Sequence, residues 1–172
     1  MFNWLQNLFH REQTSKKEKM ISGFIAFVYI FALGYRGNIM DEQGKAFYDA
    51  LMKPAATPPD WLFPFVWTAL FVLIGLAGYY VWNFYENDRA RKWFAGLYFV
   101  NGLLIFLWPY SFFTLHSVAS ALYVIIALII VIESMILLAF KTNHKAAYLL
   151  APYLLWVLFA TYMNINILVL NA

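Results

Sequence analysis

Long apolar stretches almost free of charge limit what this chain can become. A helix crossing the hydrocarbon layer of a membrane needs roughly 20 consecutive apolar residues, and five segments approach or exceed that length. They run from Met20 to Ile39, Trp61 to Phe84, Trp93 to Phe113, Val118 to Phe140 and Ala146 to Leu170. The first is uncharged only from Met20 to Tyr35, so it relies on its flanks or on Arg36 snorkelling to the interface. The runs are unbroken, unlike the short alternating strands of a membrane barrel. Composition agrees: 12% of the residues are charged and 63% hydrophobic, whereas a soluble domain carries about 25% charged residues. Too few polar side chains remain to cover a water-facing surface. The expected fold is an all-α membrane protein, a five-transmembrane-helix bundle, with residues 20–172 as the membrane domain.

Ahead of it, residues 1–19 form a separate segment. Phe2, Leu5, Leu8 and Phe9 recur at helical spacing, and a basic stretch from His10 to Lys19 follows. That order is the reverse of a secretory signal. It reads as a helix lying in the membrane interface, or as an ordinary frayed terminus. Orientation follows from the basic residues of the connections. Arg11, Lys16, Lys17, Lys19, Arg89, Arg91, Lys92, Lys141 and Lys145 fall on the N-terminal side. On the other side Arg36, Lys45 and Lys53 are offset by Asp41, Glu42, Asp49 and Asp60. The N-terminus is therefore expected inside and the C-terminus outside, most simply in a bacterial cytoplasmic membrane. The long connection from Met40 to Asp60 then lies outside, stiffened by Pro54, Pro58 and Pro59. It is placed to cap any cavity in the bundle as a loop between helices 1 and 2.

Several function classes are excluded or weakened. Cysteine is absent, which removes disulfides, thiolate metal sites and cysteine nucleophiles. His10, His116 and His144 lie on separate segments without ligand-like spacing, so no metal site is expected. No glycine-rich phosphate loop, catalytic triad pattern or paired carboxylates stand out, and the net charge of +3 gives no reason to expect a nucleic-acid partner. Glu133 is the one acidic residue well inside a span, ~12 Å from Lys141 at the helical rise. Intramembrane carboxylates are often functional, but a protonated or paired Glu at a helix contact is the alternative reading.

Three blocks carry a family resemblance. The stretch Phe47–Trp82 reads FYDALMKPAATPPDWLFPFVWTALFVLIGLAGYYVW, with Tyr48, Leu51, Lys53-Pro54, Pro58-Pro59, Trp61, Phe63-Pro64 and Val66-Trp67-Thr68 as the matching elements. The second block holds Leu97-Tyr98, Trp108-Pro109 and Phe112-Phe113. The third holds Pro152-Tyr153-Leu154, Trp156, Ala160-Thr161 and Asn164. In this order they resemble the TspO family, the tryptophan-rich sensory proteins related to the mitochondrial translocator (peripheral benzodiazepine receptor) proteins. The chain departs from the pattern at Ile105-Phe106, where the family often has Asn-Trp, and at Tyr110, in place of a second proline.

The resemblance implies a tight bundle, commonly a homodimer, with a cavity closed by the loop between the first two helices. It implies a hydrophobic small-molecule partner: a tetrapyrrole such as protoporphyrin, or for some members a sterol or a benzodiazepine-type or isoquinoline ligand. No obligatory cofactor is implied, and transport, sensing and light-dependent porphyrin breakdown have all been proposed for the family. Trp67, Trp108 and Trp156 lie inside spans, where ring walls suit a flat ligand but also simply fill space between helices. Asn101 and Tyr153 offer hydrogen bonds to a ligand or to a neighbouring helix. Lys53 offers a cation to a ligand carboxylate or to solvent. The expected function is a membrane receptor or carrier for a flat hydrophobic ligand. A structural or regulatory subunit docking another protein is the alternative, and a porphyrin-degrading enzyme a further one.

Overall fold

The computed structural model describes residues 20–23, 25–26, 42–84, 88–141 and 143–172. The expected interfacial segment 1–19, most of the first predicted span, His10 and Arg36 lie outside the described residues. Residues 20–23 and 25–26 are helical, and Ser22 is buried, its hydroxyl accepting a 2.7 Å hydrogen bond from the Asn83 amide. That bond ties the start of the first span to the far end of the second.

A short helix, α1 (Glu42–Ala50), comes next, followed by α2 (Leu62–Phe84), α3 (Asp88–Pro109), α4 (Val118–Phe140) and α5 (His144–Leu170). Among the described residues, four helices are long and apolar enough to cross a membrane. They close into a ring in which α3 packs on α4, α4 on α5, α5 on α2, and α2 back on α3. The buried positions explain why. On α4 they are Ala121, Ile125, Leu128, Ile132, Met135 and Ala139, alternating in steps of four and three. On α2, Leu70, Ile74, Ala77 and Val81 keep the same spacing, as do Ala146, Leu150, Tyr153 and Val157 on α5. A seam repeating every seven residues favours nearly parallel helix axes with interlocking side chains. Ala121, Ala139, Ala146 and Ala147 are fully buried, and such small residues let α4 and α5 approach closely at both ends. The outward faces are apolar too, with Phe65, Phe99, Leu137 and Leu155 each more than 60% exposed. In water that surface would aggregate; against lipid it is the expected finish. Glu133 sits on this exposed face of α4.

The connections set the geometry above the bundle. Pro109 cannot supply a helical N–H, and from Tyr110 to Thr114 the chain widens into a π turn, a form common at functional sites. His116 adopts a left-handed φ of 49°, tolerated better by His than by branched residues. Ser117 then caps α4, its Oγ accepting from the Ser120 N–H at 3.3 Å. At the opposite end Asn143 caps α5 in the same way, accepting from the Lys145 N–H at 3.1 Å.

The long connection differs from a plain stiff loop because α1 forms within it. Nine residues make a marginal helix on their own, and tertiary contact supplies the rest. Phe47 lies against His116, ring centroids 4.8 Å apart, and Tyr48 meets Phe112 and Phe113 edge-on at 6.3 and 6.0 Å. On the wet side Lys45 pairs with Asp49 at 2.7 Å. The remaining stretch, Leu51 to Trp61, then runs across the mouth of the bundle.

Candidate functional site

Beneath that stretch lies a cavity of about 450 Å³, within the usual range for small-molecule sites. Each wall comes from one element. On α2, Phe63, Trp67 and Phe71 recur every four residues and face inward together. Ile105, Trp108, Phe112 and Phe113 line it from α3 and its π turn. Trp156, Phe159, Ala160, Met163, Asn164 and Ile167 form the wall from α5, while Tyr48, Thr57 and Asp60 close the top.

The rings brace one another. Trp67 packs against Phe71 with centroids 5.4 Å apart and meets Tyr153 edge-on at 6.4 Å. Trp156 lies between Phe63 at 5.9 Å and Phe159 at 5.6 Å. Trp108 contacts Phe112 at 5.8 Å and stands nearly perpendicular to Phe113. Such pairs add about 0.5–1.5 kcal/mol beyond simple burial, so the walls are held in shape without a ligand.

Polar groups are few, and most are already engaged. The Trp108 indole N–H donates to Asn164 Oδ1 at 3.3 Å, and the Asn164 amide donates to the Val118 carbonyl at 2.9 Å. This buried chain links α3, α5 and the start of α4. Thr57 donates its hydroxyl to the Pro54 carbonyl and Thr68 donates to the Pro64 carbonyl, both at 2.7 Å. Among the described residues no hydrogen bond engages the indole N–H of Trp67 or of Trp156, which line the adjoining walls from α2 and α5. Asp60 adds a carboxylate at the mouth. Burial pushes the Tyr48 phenol above its ordinary range, and the nearby Asp60 and Asp49 charges add to the shift, so this lid residue faces the cavity as a neutral phenol.

The six residues singled out from the sequence divide into two groups. Trp67, Trp108 and Trp156 line the cavity. Asn101 and Tyr153 are fully buried outside its lining, the Asn101 amide donating to the Tyr153 hydroxyl at 3.0 Å. They join α3 to α5 behind the Trp67 ring. Lys53 is also outside the lining; its ammonium sits 4.2 Å over the Tyr48 ring, an attraction of the cation to the π face. Sequence reading did not single out Phe63 and Phe71, which line the cavity from the same face of α2 as Trp67, although their four-residue spacing was visible. It also missed that Asn164 fixes a tryptophan. Among the described residues no cluster of three or more His, Cys, Asp or Glu could hold a metal ion.

The sequence profile of the TspO/MBR family matches residues 24–170. The chain belongs to this family. It is similar to the tryptophan-rich protein TspO of Archaeoglobus fulgidus, 37% identical over 156 residues that cover 90% of this chain and 97% of that one. The tryptophan-rich protein TspO of Chlorobaculum tepidum is 37% identical over 145 residues, 81% of this chain and 89% of its own. Similarity extends to the human translocator protein, 29% identical over 123 residues, 71% of this chain and 73% of that one. In this TspO/MBR member Ile105 is buried at the cavity wall and Phe106 faces outward, 46% exposed. An apolar side chain thus stands on the wall where the family often places an amide.

Proposed function

We propose that this membrane protein is a receptor or carrier that binds a flat hydrophobic ligand, a tetrapyrrole such as protoporphyrin, between α2, α3 and α5. The observation that carries the reading is the cavity in which Trp67, Trp108 and Trp156 present braced ring faces. Flat polarizable walls favour a flat conjugated ligand through dispersion and stacking, and a few fixed donors orient it. The Trp67 and Trp156 indole N–H groups serve as those donors, meeting acceptor atoms on the ligand. Asn101 and Tyr153 act from behind the wall by holding α3 and α5 in register. Lys53 acts through Tyr48, keeping the phenol ring turned over the mouth, where it is available to a ligand carboxylate. The membrane is a bacterial cytoplasmic membrane with the C-terminus outside, which puts the α1 lid on the outer face and opens the cavity towards that side.

The test is a titration of the detergent-purified protein with protoporphyrin, followed by tryptophan fluorescence, beside Trp67→Phe and Trp156→Phe. Saturable quenching is expected, with affinity about threefold to tenfold weaker in each variant, as loss of part of an aromatic contact implies. Linear, non-saturating quenching in the wild type is partition into the micelle and overturns the reading.

A further inference from the structure

The lid is fastened to the cavity wall at one point that the aromatic contacts do not explain. Asn171 ends α5 one turn beyond Ile167, a residue of the cavity wall. Its side-chain oxygen accepts the Met52 N–H at 2.9 Å, and its side-chain nitrogen donates to the Met52 carbonyl at 3.0 Å. One amide thus engages both main-chain groups of a single residue, as a paired strand would. The same nitrogen donates to the Ile167 carbonyl at 2.8 Å, and the Asn171 main-chain N–H reaches that carbonyl at 3.2 Å. The side chain is therefore held in place by its own helix before it meets the lid. Turning the amide over would set donor against donor and acceptor against acceptor at Met52, so the bonds fix its orientation.

Met52 is the pivot of the lid. Before it, Phe47, Tyr48 and Leu51 pack into the apolar cluster of Phe112, Val118, Ala121 and Ile167. After it come the Pro54–Thr57 turn, closed by the Thr57 N–H on the Pro54 carbonyl at 3.0 Å, and then Asp60 at the mouth. The clamp fixes the point from which the proline segment crosses the opening. Met52 is 60% exposed and Asn171 is exposed as well, so water competes for both bonds. Such a contact holds the segment down without sealing it.

Taking the cavity as the ligand site, we infer that Asn171 is a positioning residue, a latch that holds the capping segment shut and sets how fast ligand passes the mouth. It touches no ligand itself. An ordinary helix cap would protect only the end of α5, whereas a latch protects residues 51–57, which are 119 positions away at Met52.

The experiment compares hydrogen–deuterium exchange of the full, ligand-free chain in detergent for wild type, Asn171→Ala, Asn171→Gly and Asn166→Ala. Glycine keeps a favourable helix ending while deleting the clamp. Asn166 is the control, because its amide donates only within its own helix, to Tyr162 O at 2.8 Å. Exchange across residues 51–57 is expected to rise about tenfold in both Asn171 variants, from the loss of two hydrogen bonds, and to stay at the wild-type level in Asn166→Ala. Protoporphyrin release, followed by stopped flow, is expected to quicken by a similar factor. Exchange that rises only in the last turn of α5, or an unchanged release rate beside a loosened loop, overturns the proposal. A loosened loop in a protein that binds no protoporphyrin leaves the latch standing and removes the tetrapyrrole reading instead.

Discussion

Replacing Asn164 by Leu tests the coupling between the fold and the cavity wall. Asn164 is 2% exposed. It accepts from the Trp108 indole at 3.3 Å and donates to the Val118 carbonyl at 2.9 Å. Leucine is of similar size but makes neither bond. Two hydrogen bonds at ~1 kcal/mol each, with the indole N–H left unpaired against an apolar wall, sum to about 3 kcal/mol. For a chain of this length each kcal/mol moves the melting temperature by about 2–4 °C, giving a fall of roughly 6–12 °C. Thermal unfolding of the purified protein in detergent measures it, with Asn166→Leu as the control at a half-buried position of the same helix whose amide bonds only within that helix. A double-mutant cycle adds specificity. Trp108→Phe removes the same indole donor, so in the Asn164→Leu background it should cost about 1 kcal/mol less than in the wild type. Equal melting temperatures for the Asn164 and Asn166 variants, or strict additivity with Trp108→Phe, would refute the claim that Asn164 holds this wall.

Two glycines of the bundle should respond in opposite ways. A Cβ on Gly78 would lie 2.8 Å from the Tyr98 ring, whereas one on Gly96 meets nothing within 4 Å. Gly78→Ala is therefore expected to destabilise by about 1–3 kcal/mol and Gly96→Ala to be neutral or stabilising by up to ~1 kcal/mol, both read from thermal melts. The Lys45–Asp49 pair on α1 gives a pH dependence. The hydrogen bond from Lys45 holds the Asp49 carboxyl below its ordinary value, so its contribution is complete above the normal carboxylate range and fades as pH falls through the depressed folded value. Asp49→Asn is accordingly expected to flatten the acid limb of α1 stability, measured by circular dichroism or by the Asp49 carboxyl resonance. An Asp49 that titrates at or above the usual aspartate value would contradict the pairing. The Phe variants of Trp67 and Trp156 and the Asn171 series complete the set.

Hydropathy located the long helices because lipid allows so few alternatives. The fourth span ended at Val118 and Phe140 as expected, with Ser117 capping one end and Lys141 marking the charged boundary at the other. The third began earlier than its apolar run, at Asp88, since Arg89, Arg91 and Lys92 continue the helix outside hydrocarbon, where charge is no obstacle. α1 was hidden because a nine-residue helix depends on the Phe112–His116 surface it rests on, and that surface exists only after folding. For the site, tryptophan positions were legible but their neighbours were not. A one-dimensional pattern does not say whether an interior ring borders empty space. Nor does it say that Asn101 would face Tyr153, or that Lys53 would sit over Tyr48 outside the cavity. The first pairing arises from how α3 and α5 come together; the second is local, Lys53 folding back over Tyr48 just beyond the end of α1.

Filling the cavity tests the central claim most directly. Ala160 lines it from α5 between Trp156 and Asn164, and Ala160→Trp would place an indole in the space assigned to the ligand. Protoporphyrin titration of this variant, in a preparation whose melting temperature matches the wild type, is the measurement. Loss of saturable quenching is the predicted result. Saturable binding of wild-type affinity in the folded, filled protein would place the ligand on the lipid-facing surface and contradict the account.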